Sequence, residues 1–349
     1  MKKILMLLIL MIMISGCNKE EIKGSAAMLS GMIEIEDLKE YKQELINKEN
    51  EIKDKEDKKE ENKQENKEET IKETNEDKIV QYYVDKKGST YTGRSSLSQV
   101  EYTVKDPLNK KGLSTTKYSF SFGAAKDGKP HSITIDNQAI FDRFGTNALA
   151  WDNKTSSKVL YLTFDCGYEY ENLTSVMLDT LKEKGIKGAF FVTDSYLRSS
   201  PQIVARMINE GHIVGNHSVN HLSDSATIPK EKLASELLGV HNNLLANFGY
   251  KSKYFRFPTG AYSECAIDLV NSIGYRSVFW SVAHTDWDPD NQPGVDVSFE
   301  TVTSRLHPGA VILLHTTSPD NAQILGNFID YALSQGYEFR SLDEYSSWK

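Results

Sequence analysis

The stretch Val159-Leu-Tyr-Leu-Thr-Phe-Asp-Cys-Gly-Tyr-Glu169 decides the fold of this chain, because a continuous apolar run ends abruptly in an acidic residue. Residues 159–164 have the length and the aromatic and β-branched content of a strand that is buried on both faces. Leu173 to Lys184 has helical periodicity, and Gly185 marks its end. A buried strand that is followed by an amphipathic helix predicts a parallel sheet with helical crossovers.

The same alternation of strand and helix continues toward the C-terminus. Further strands are predicted at residues 188–192, 213–214, 254–257, 276–280, 310–314 and 337–340. Further helices are predicted at residues 201–210, 230–248, 266–273 and 322–334. Either a (β/α) barrel or a doubly wound sheet fits this order, and both place functional side chains at the carboxyl ends of strands.

Polar residues follow the predicted strands at five places. Asp165 comes first, and a carboxylate is costly to bury there unless it has a partner or a task. Capping of the next helix is the structural alternative. His217-Ser-Val-Asn-His221 spaces two histidines at i and i+4, so that one helical face can present both imidazoles to a metal. Taken alone, this pair is explained equally well as two surface histidines.

Three more motifs complete the set. In Arg256-Phe-Pro-Thr-Gly260, proline and glycine fix a tight loop in which a backbone N–H can face a reacting oxygen. Asp286-Trp287 and His315 follow two later strands. A lone histidine in such a place is more often structural than catalytic. Five polar clusters at five strand ends, however, indicate a common site.

These ordered motifs resemble the polysaccharide deacetylase family, which is also known as the NodB-homology domain or carbohydrate esterase family 4. The family patterns are T-F-D-D-G, H-S/T-x-x-H, R-x-P-x-G, D-x-x-D-W and I-I/V/L-L-x-H. The matching residues are Thr163–Gly167, His217–His221, Arg256–Gly260, a divergent stretch ending in Asp286-Trp287, and Ile312–His315. The resemblance covers the chain from about Val159 onward and implies a distorted (β/α)7 barrel of the α/β class, which decides between the two architectures left open above.

The chain departs from the family pattern at Cys166, where the family has an Asp that joins the two histidines as a metal ligand. Cys166 followed by Gly167-Tyr168-Glu169 resembles the branch of delta-lactam-biosynthetic de-N-acetylases, in which this position is Asn and the motif continues G-Y-E. Residues 112–118 resemble that branch more loosely. A Cys166 thiolate could bind Zn²⁺. The favoured alternative is a position without a metal role, and a disulfide with Cys265 is a third.

The resemblance implies metal-dependent hydrolysis of an N-acetyl group. His217 and His221 are the implied ligands of a divalent metal, with Zn²⁺ expected first and Mn²⁺, Mg²⁺ or Co²⁺ as alternatives. Asp165 is the implied base that takes a proton from water. Arg256 is expected to orient Asp165 and keep it ionised, because a neighbouring guanidinium lowers a carboxyl pKa.

The same resemblance assigns the acid and the substrate contacts. His315 is the implied general acid for the departing amine, and Asp286 is expected to hold His315 in its charged form. Thr259, Gly260 and Trp287 are expected to bind the substrate, with the Thr259 N–H facing the oxyanion.

The first residues are typical of an export signal. Met1-Lys-Lys3 is followed by the apolar run Ile4–Ile14, which is too short to span a bilayer comfortably. The run leads into Ser-Gly-Cys17, which resembles a bacterial lipobox. We therefore expect a lipoprotein signal peptide at residues 1–17, lipid on Cys17 and a mature chain tethered to the membrane outside the cytoplasm. An ordinary cleaved signal and an uncleaved anchor are the alternatives.

Composition predicts three segments after this leader. Residues 18–101 are predicted to be a charged, largely disordered linker, because Glu34–Lys78 has 18 acidic and 11 basic residues and little apolar surface to bury. This stretch carries a net charge of −7, whereas the whole chain carries −8, so the remainder is near neutral. Residues 102–158 are predicted to be an N-terminal extension of the catalytic domain, and residues 159–349 are predicted to be the deacetylase domain itself.

Three functions remain open at this point. The first is de-N-acetylation of peptide-stripped N-acetylmuramic acid in peptidoglycan, leading toward the muramic-delta-lactam of spore cortex, and it rests on the branch resemblance. The second is de-N-acetylation of N-acetylglucosamine in peptidoglycan or another polysaccharide. The third is a non-catalytic glycan-binding surface lipoprotein, which has no use for so many polar residues. The expected partners are a glycan strand and the membrane, without nucleic acid, and the chain is expected to be a monomer.

Overall fold

The computed structural model describes residues 102–348, together with the backbone of residues 80–84 and 90–93. The signal peptide, the lipidation site Cys17 and the charged run up to Lys78 lie outside the described residues. Residues from Lys78 onward group into one unit. In the part that is described, no helix is long and apolar enough to cross a membrane.

Strands and helices alternate along most of the described chain. The strands are β1 Val80–Val84, β2 Thr90–Gly93, β3 Ala148–Leu149, β4 Val159–Cys166, β5 Ala189–Val192, β6 Ile213–Asn216, β7 Tyr254–Phe255, β8 Arg276–Val278, β9 Ala310–His315 and β10 Glu338–Phe339. The helices are α1 Ser132–Phe144, α2 Leu173–Lys184, α3 Asp194–Ser199, α4 Pro201–Asn209, α5 Lys230–Phe248, α6 Glu264–Ile273, α7 Val295–Ser304 and α8 Pro319–Ser334. Short 3₁₀ turns occur at Pro258–Gly260 and Leu342–Glu344.

The strands from β3 to β10 form one parallel sheet. Its order is β10-β4-β5-β6-β7-β8-β3, and β9 pairs with β4 as well. A parallel bridge between Val282 and Ile312 joins the chain after β8 to β9, which curls the sheet round on itself. All eight residues of β4 are buried, as its apolar sequence predicts. The predicted distorted barrel of parallel strands and outer helices is confirmed.

The region before β4 contributes more than the sequence indicates. Strands β1 and β2 pair antiparallel, so the predicted linker 18–101 contains a hairpin in its last part. The charge run has ended there, and the Val, Tyr and Thr residues that replace it favour strands. Within the extension 102–158, β3 pairs with β8 and adds a strand to the sheet.

The predicted helices agree well with the structure where clear boundary signals exist. Helices α2 and α5 have the predicted bounds, and each ends at a glycine in the left-handed conformation. Helix α8 begins at Pro319, three residues before the predicted start, because the Ser318 hydroxyl caps it by accepting from the N–H of Asn321. Helices α1, α3 and α7 were not predicted.

Candidate active site

Asp165 and Arg256 form a buried ion pair at the carboxyl end of β4. Arg256 Nη1 donates to Asp165 Oδ1 at 2.8 Å, and both side chains are nearly inaccessible to solvent. Burial alone would raise the pKa of Asp165, but the neighbouring Arg256 guanidinium outweighs burial and holds the pKa below its ordinary value. The other carboxylate oxygen lies 3.5 Å from His217 Nε2. Asp165 is therefore an ionised carboxylate beside the first histidine of the pair.

The guanidinium of Arg256 is held on several sides. Its Nε donates to the Val278 carbonyl at 3.0 Å, and Nη2 donates to Thr163 Oγ1 at 2.8 Å and to the Phe279 carbonyl at 3.2 Å. The Phe191 ring centroid lies 4.2 Å from the guanidinium carbon. Because the guanidinium is planar and rigid, these contacts fix its orientation and that of the carboxylate it binds.

The two histidines lie in the loop after β6, and this loop is not helical, which corrects the expectation of a shared helical face. Ser218 and His221 have positive φ angles of 70° and 50°, which end any helical path. Asn220 donates its backbone N–H to Glu236 on α5 at 2.7 Å and its side-chain amide at 2.6 Å. The loop geometry still brings the two imidazoles together, with the ring centroids of His217 and His221 4.8 Å apart.

The histidine pair has the chemistry of a metal site. His217 Nδ1 lies 2.9 Å from the Arg256 carbonyl oxygen, which assigns the proton to Nδ1 and leaves the lone pair on Nε2. Burial lowers the pKa of His217 to about 4, with partial compensation by Asp165, so the ring is neutral as metal binding requires. Burial also lowers the pKa of His221.

The two imidazoles suit a divalent cation. Water or substrate would complete the coordination of this cation. Among the described residues, no group of three His, Cys, Asp or Glu side chains is arranged to hold a metal. The residues that would hold a divalent metal here are His217 and His221.

His315 and Asp286 form the second charged pair. His315 ends β9 opposite Asp165 on β4, and its Nδ1 donates to Asp286 Oδ1 at 2.7 Å. Burial alone would lower the pKa of His315, but Asp286 outweighs burial and raises it. Burial likewise opposes ionisation of Asp286, yet His315 and its hydrogen bond lower the Asp286 pKa. Asp286 thus favours the protonated form of His315, whose Nε2 is then able to give a proton.

These groups share a cavity of about 940 Å³. The predicted residues that line it are Asp165, His217, His221, Thr259, Trp287 and His315. Trp287 is 58% exposed, and its ring centroid lies 6.5 Å from that of His315. Thr259 has a φ of 57°, which is uncommon for a β-branched residue and marks a strained turn at the cavity wall.

Gly260 is not among the residues that line the cavity, and its predicted contact with the substrate stays a prediction. It is buried with a φ of 71°, and a Cβ there would lie 2.8 Å from Trp280 and 2.9 Å from Phe120. Its role is to let these two aromatic side chains pack against the turn.

Cys166 lies away from the histidines in the fold. Its side chain joins the apolar cluster outside the barrel with Met177, Val192 and Tyr196, whereas Asp165 points to the opposite face of β4. Burial raises the pKa of the Cys166 thiol well above its ordinary value, so the thiolate is disfavoured. Cys166 and Cys265 are both free, which excludes the disulfide alternative in this structure.

Several residues that shape the site were not assigned such roles from the sequence. Glu169 accepts from the N–H of Thr174 at 3.1 Å and from the Tyr196 hydroxyl at 2.6 Å, which braces the loop after β4. Its place in the G-Y-E motif was the only signal. Glu236 and Asn321 act over long sequence separations, for which a single sequence gives no signal.

The sequence and the fold of this chain are both similar to those of known proteins. A model of the polysaccharide deacetylase family matches residues 152–278. The peptidoglycan-N-acetylmuramic acid deacetylase PdaA of Bacillus subtilis is 41% identical over 191 residues, which cover 54% of this chain and 72% of that protein. An uncharacterised 30.6 kDa protein of Geobacillus stearothermophilus is 44% identical over 190 residues, which cover 54% of this chain and 71% of that protein. The solved structure of Bacillus subtilis PdaA, a family 4 carbohydrate esterase, aligns with a TM-score of 0.63 and 35% identity over 67% of this chain and 98% of that one.

Proposed function

Because the chain belongs to the polysaccharide deacetylase family, whose members are hydrolases of N-acetyl C–N bonds, we propose that it de-N-acetylates peptide-stripped N-acetylmuramic acid in peptidoglycan. The observation that carries the reaction is that Asp165, whose pKa is lowered, and His315, whose pKa is raised, lie on neighbouring strands and line one cavity. Asp165 has the state of a general base, and His315 has the state of a general acid. A glycan-binding protein without activity does not need this opposition of protonation states.

The residues divide the reaction between them. The free oxygen of Asp165 takes a proton from the attacking water, and Arg256 keeps that carboxylate ionised. The backbone N–H of Thr259 meets the negative charge that develops on the acetyl oxygen. His315 Nε2 then protonates the departing amine. A divalent metal, Zn²⁺ first and Mn²⁺, Mg²⁺ or Co²⁺ as alternatives, would be held by His217 and His221 and would polarise the carbonyl and acidify the water.

The muramic substrate is supported by a cation in the cavity wall. Peptide-stripped muramic acid carries a lactyl carboxylate that N-acetylglucosamine lacks. Two arginines line the cavity, and Arg198 is already paired with Asp194. Arg305 donates to the carbonyl oxygen of Ala283 at 2.7 Å, and within residues 102–348 it has no carboxylate partner. We assign the lactyl carboxylate to Arg305, because an Arg–carboxylate contact is a strong charge-assisted interaction.

Two further features support this substrate. The Cys166-Gly167-Tyr168-Glu169 stretch resembles the de-N-acetylase branch that acts on muramic acid. A relative at 41% identity is named for N-acetylmuramic acid.

We further propose that the product leads toward the delta-lactam of spore cortex. We also propose that lipid on Cys17 anchors the chain to the outer face of the cell membrane, where it acts. Recovery of the mature chain only from the soluble extracellular fraction would contradict the anchor.

Substrate choice is tested by acetate release from peptidoglycan with and without prior amidase treatment. We expect release only after amidase treatment, with Arg305→Gln lowering kcat/KM on this glycan roughly tenfold or more.

Arg198→Gln is the matched control, because it removes a cavity arginine that is already paired. Equal acetate release from untreated and amidase-treated glycan would favour the glucosamine substrate and overturn the muramic assignment.

A further inference from the structure

Asn321 links the two halves of the acid pair. Its Nδ2 donates to Asp286 Oδ2 at 2.6 Å and to the backbone carbonyl of His315 at 3.1 Å. Asp286 Oδ2 also accepts the backbone N–H of His315 at 2.8 Å. One amide group at the start of α8 therefore determines where the carboxylate of Asp286 sits beneath His315.

The orientation of this amide follows from its neighbours. Asp286 Oδ2 and the His315 carbonyl are acceptors only, so the group that faces them must be the NH₂ of Asn321. The Asn321 oxygen must then face His284, whose Nε2 lies 2.8 Å away. An amide oxygen accepts and does not donate, so His284 carries its proton on Nε2.

His284 is well placed to hold the amide. Its side chain is 3% exposed, and its Nε2 lies 3.7 Å from Asp286 Oδ2. Its Nδ1 is buried and has no hydrogen-bond partner among the described residues. Among these residues, Nε2 is therefore the ring atom through which His284 holds the Asn321 amide.

We propose that His284 and Asn321 are positioning residues of this reaction: His284 orients the Asn321 amide, and Asn321 holds Asp286 against the general acid His315. This inference rests on the proposed function for its kinetic test but not for its spectroscopic one. His284 occupies a variable position of the fourth motif, Asn321 lies outside the motifs, and each acts through Asp286.

The effect of His284 and Asn321 on Asp286, called the relay below, can be measured through the pKa of His315. The charged and titratable groups that face it are Asp286, Asp165, Arg256 and His221. Of these, Asp286 does most to raise the pKa of His315 against its burial. If Asp286 loses its anchor and rotates away, burial prevails and the pKa of His315 falls.

The test compares His284→Phe, which keeps the ring volume but removes the donor, with His284→Gln, whose amide can replace Nε2–H. The pH dependence of kcat/KM and the NMR titration of the His315 imidazole are measured on each. For His284→Phe we expect the alkaline limb and the His315 titration to move down by about one pH unit, with the acidic limb unchanged. His284→Gln should restore both.

His307→Phe is the matched control, because His307 is also a buried histidine with one partnered nitrogen and one orphaned nitrogen. It should leave the pH profile unmoved. If His284→Phe does not fold, Asn321→Ala is measured in its place, with the same downward shift expected.

A folded His284→Phe with the wild-type His315 titration would overturn the relay. Wild-type protein that releases no acetate would overturn the proposed function alone, since the NMR titration needs no substrate.

Discussion

Arg256 is fully buried, and its guanidinium donates hydrogen bonds to oxygen atoms and lies against the ring of Phe191. Its carboxylate partner, Asp165, is buried as well, so each charge depends on the other. Removing one member of such a pair leaves the second charge without compensation in a poorly solvated place. At the scale of single residues, this pair therefore connects stability to the protonation state of the base.

Arg256→Gln should weaken both properties. We expect the free energy of unfolding to fall by about 3–5 kcal/mol, as for other broken buried pairs. The pKa of Asp165 should rise, because burial would then act without the largest compensating charge. The acidic limb of the kcat/KM profile should move to higher pH, and denaturant titration with pH-dependent kinetics measures both effects.

Arg340→Gln supplies the control, since Arg340 pairs with Glu338 on the partly exposed β10. An Arg256→Gln variant that keeps wild-type stability and the wild-type acidic limb would show that the pair does not set the state of Asp165.

At the scale of elements, the sequence predicts the strands and the polar residues at their ends well. An apolar run such as Val159–Phe164 has one buried arrangement in a parallel sheet, and the ends of parallel strands share one edge. For this reason the sequence alone predicts that Asp165 and His315, 150 positions apart, share one site.

Other elements carried no comparable signal. Helix α7, Val295–Ser304, is rich in Val and Thr, which are weak helix formers. It is held instead by Asp320, which accepts from the N–H of Gly294 and from the Ser298 hydroxyl, both at 2.8 Å. The loop that carries His217 and His221 likewise depends on a contact with α5, so spacing alone wrongly indicated a helix.

Glu236→Ala tests the hold of α5 on the histidine loop. Loss of the two hydrogen bonds to Asn220 should free the loop and lower metal affinity and activity by roughly 10–100-fold, as for other residues that support metal ligands. Competition with a chelator of known affinity measures the metal affinity of each variant. Glu231→Ala, on the exposed face of the same helix, should change neither quantity. Unchanged metal affinity in Glu236→Ala would mean that the loop holds its shape without α5.

At the scale of the whole molecule, the buried histidines tie stability to pH. Burial lowers the pKa of His212 to about 3 and those of His217 and His307 to about 4, from an ordinary 6.5. These rings stay neutral in the folded chain, whereas the unfolded chain protonates them below pH 6.5. Stability is therefore fully present above pH 6.5 and is lost as the pH falls toward 4. His315 has the opposite sign, because its raised pKa adds stability at low pH, but it is one group against these three and against His221 and His241, whose pKa burial also lowers.

We expect the free energy of unfolding, measured by denaturant titration with a chelator present, to fall steadily between pH 6.5 and 4.5. Each histidine that is protonated only in the unfolded chain contributes a slope of up to about 1.4 kcal/mol per pH unit. His307→Gln should reduce the slope, because one such group is lost. A flat profile across this range would mean that these histidines take up protons in the folded state.

The most direct test of the central claim locates the lost acetyl group. Peptidoglycan is treated with amidase, incubated with the metal-loaded chain and digested, and each sugar is analysed by mass spectrometry. The proposal predicts muramic acid without its acetyl group in the wild-type digest, intact N-acetylglucosamine beside it, and no loss with Asp165→Asn or His217→Ala. Deacetylation of glucosamine alone, or full activity in Asp165→Asn, would contradict the account.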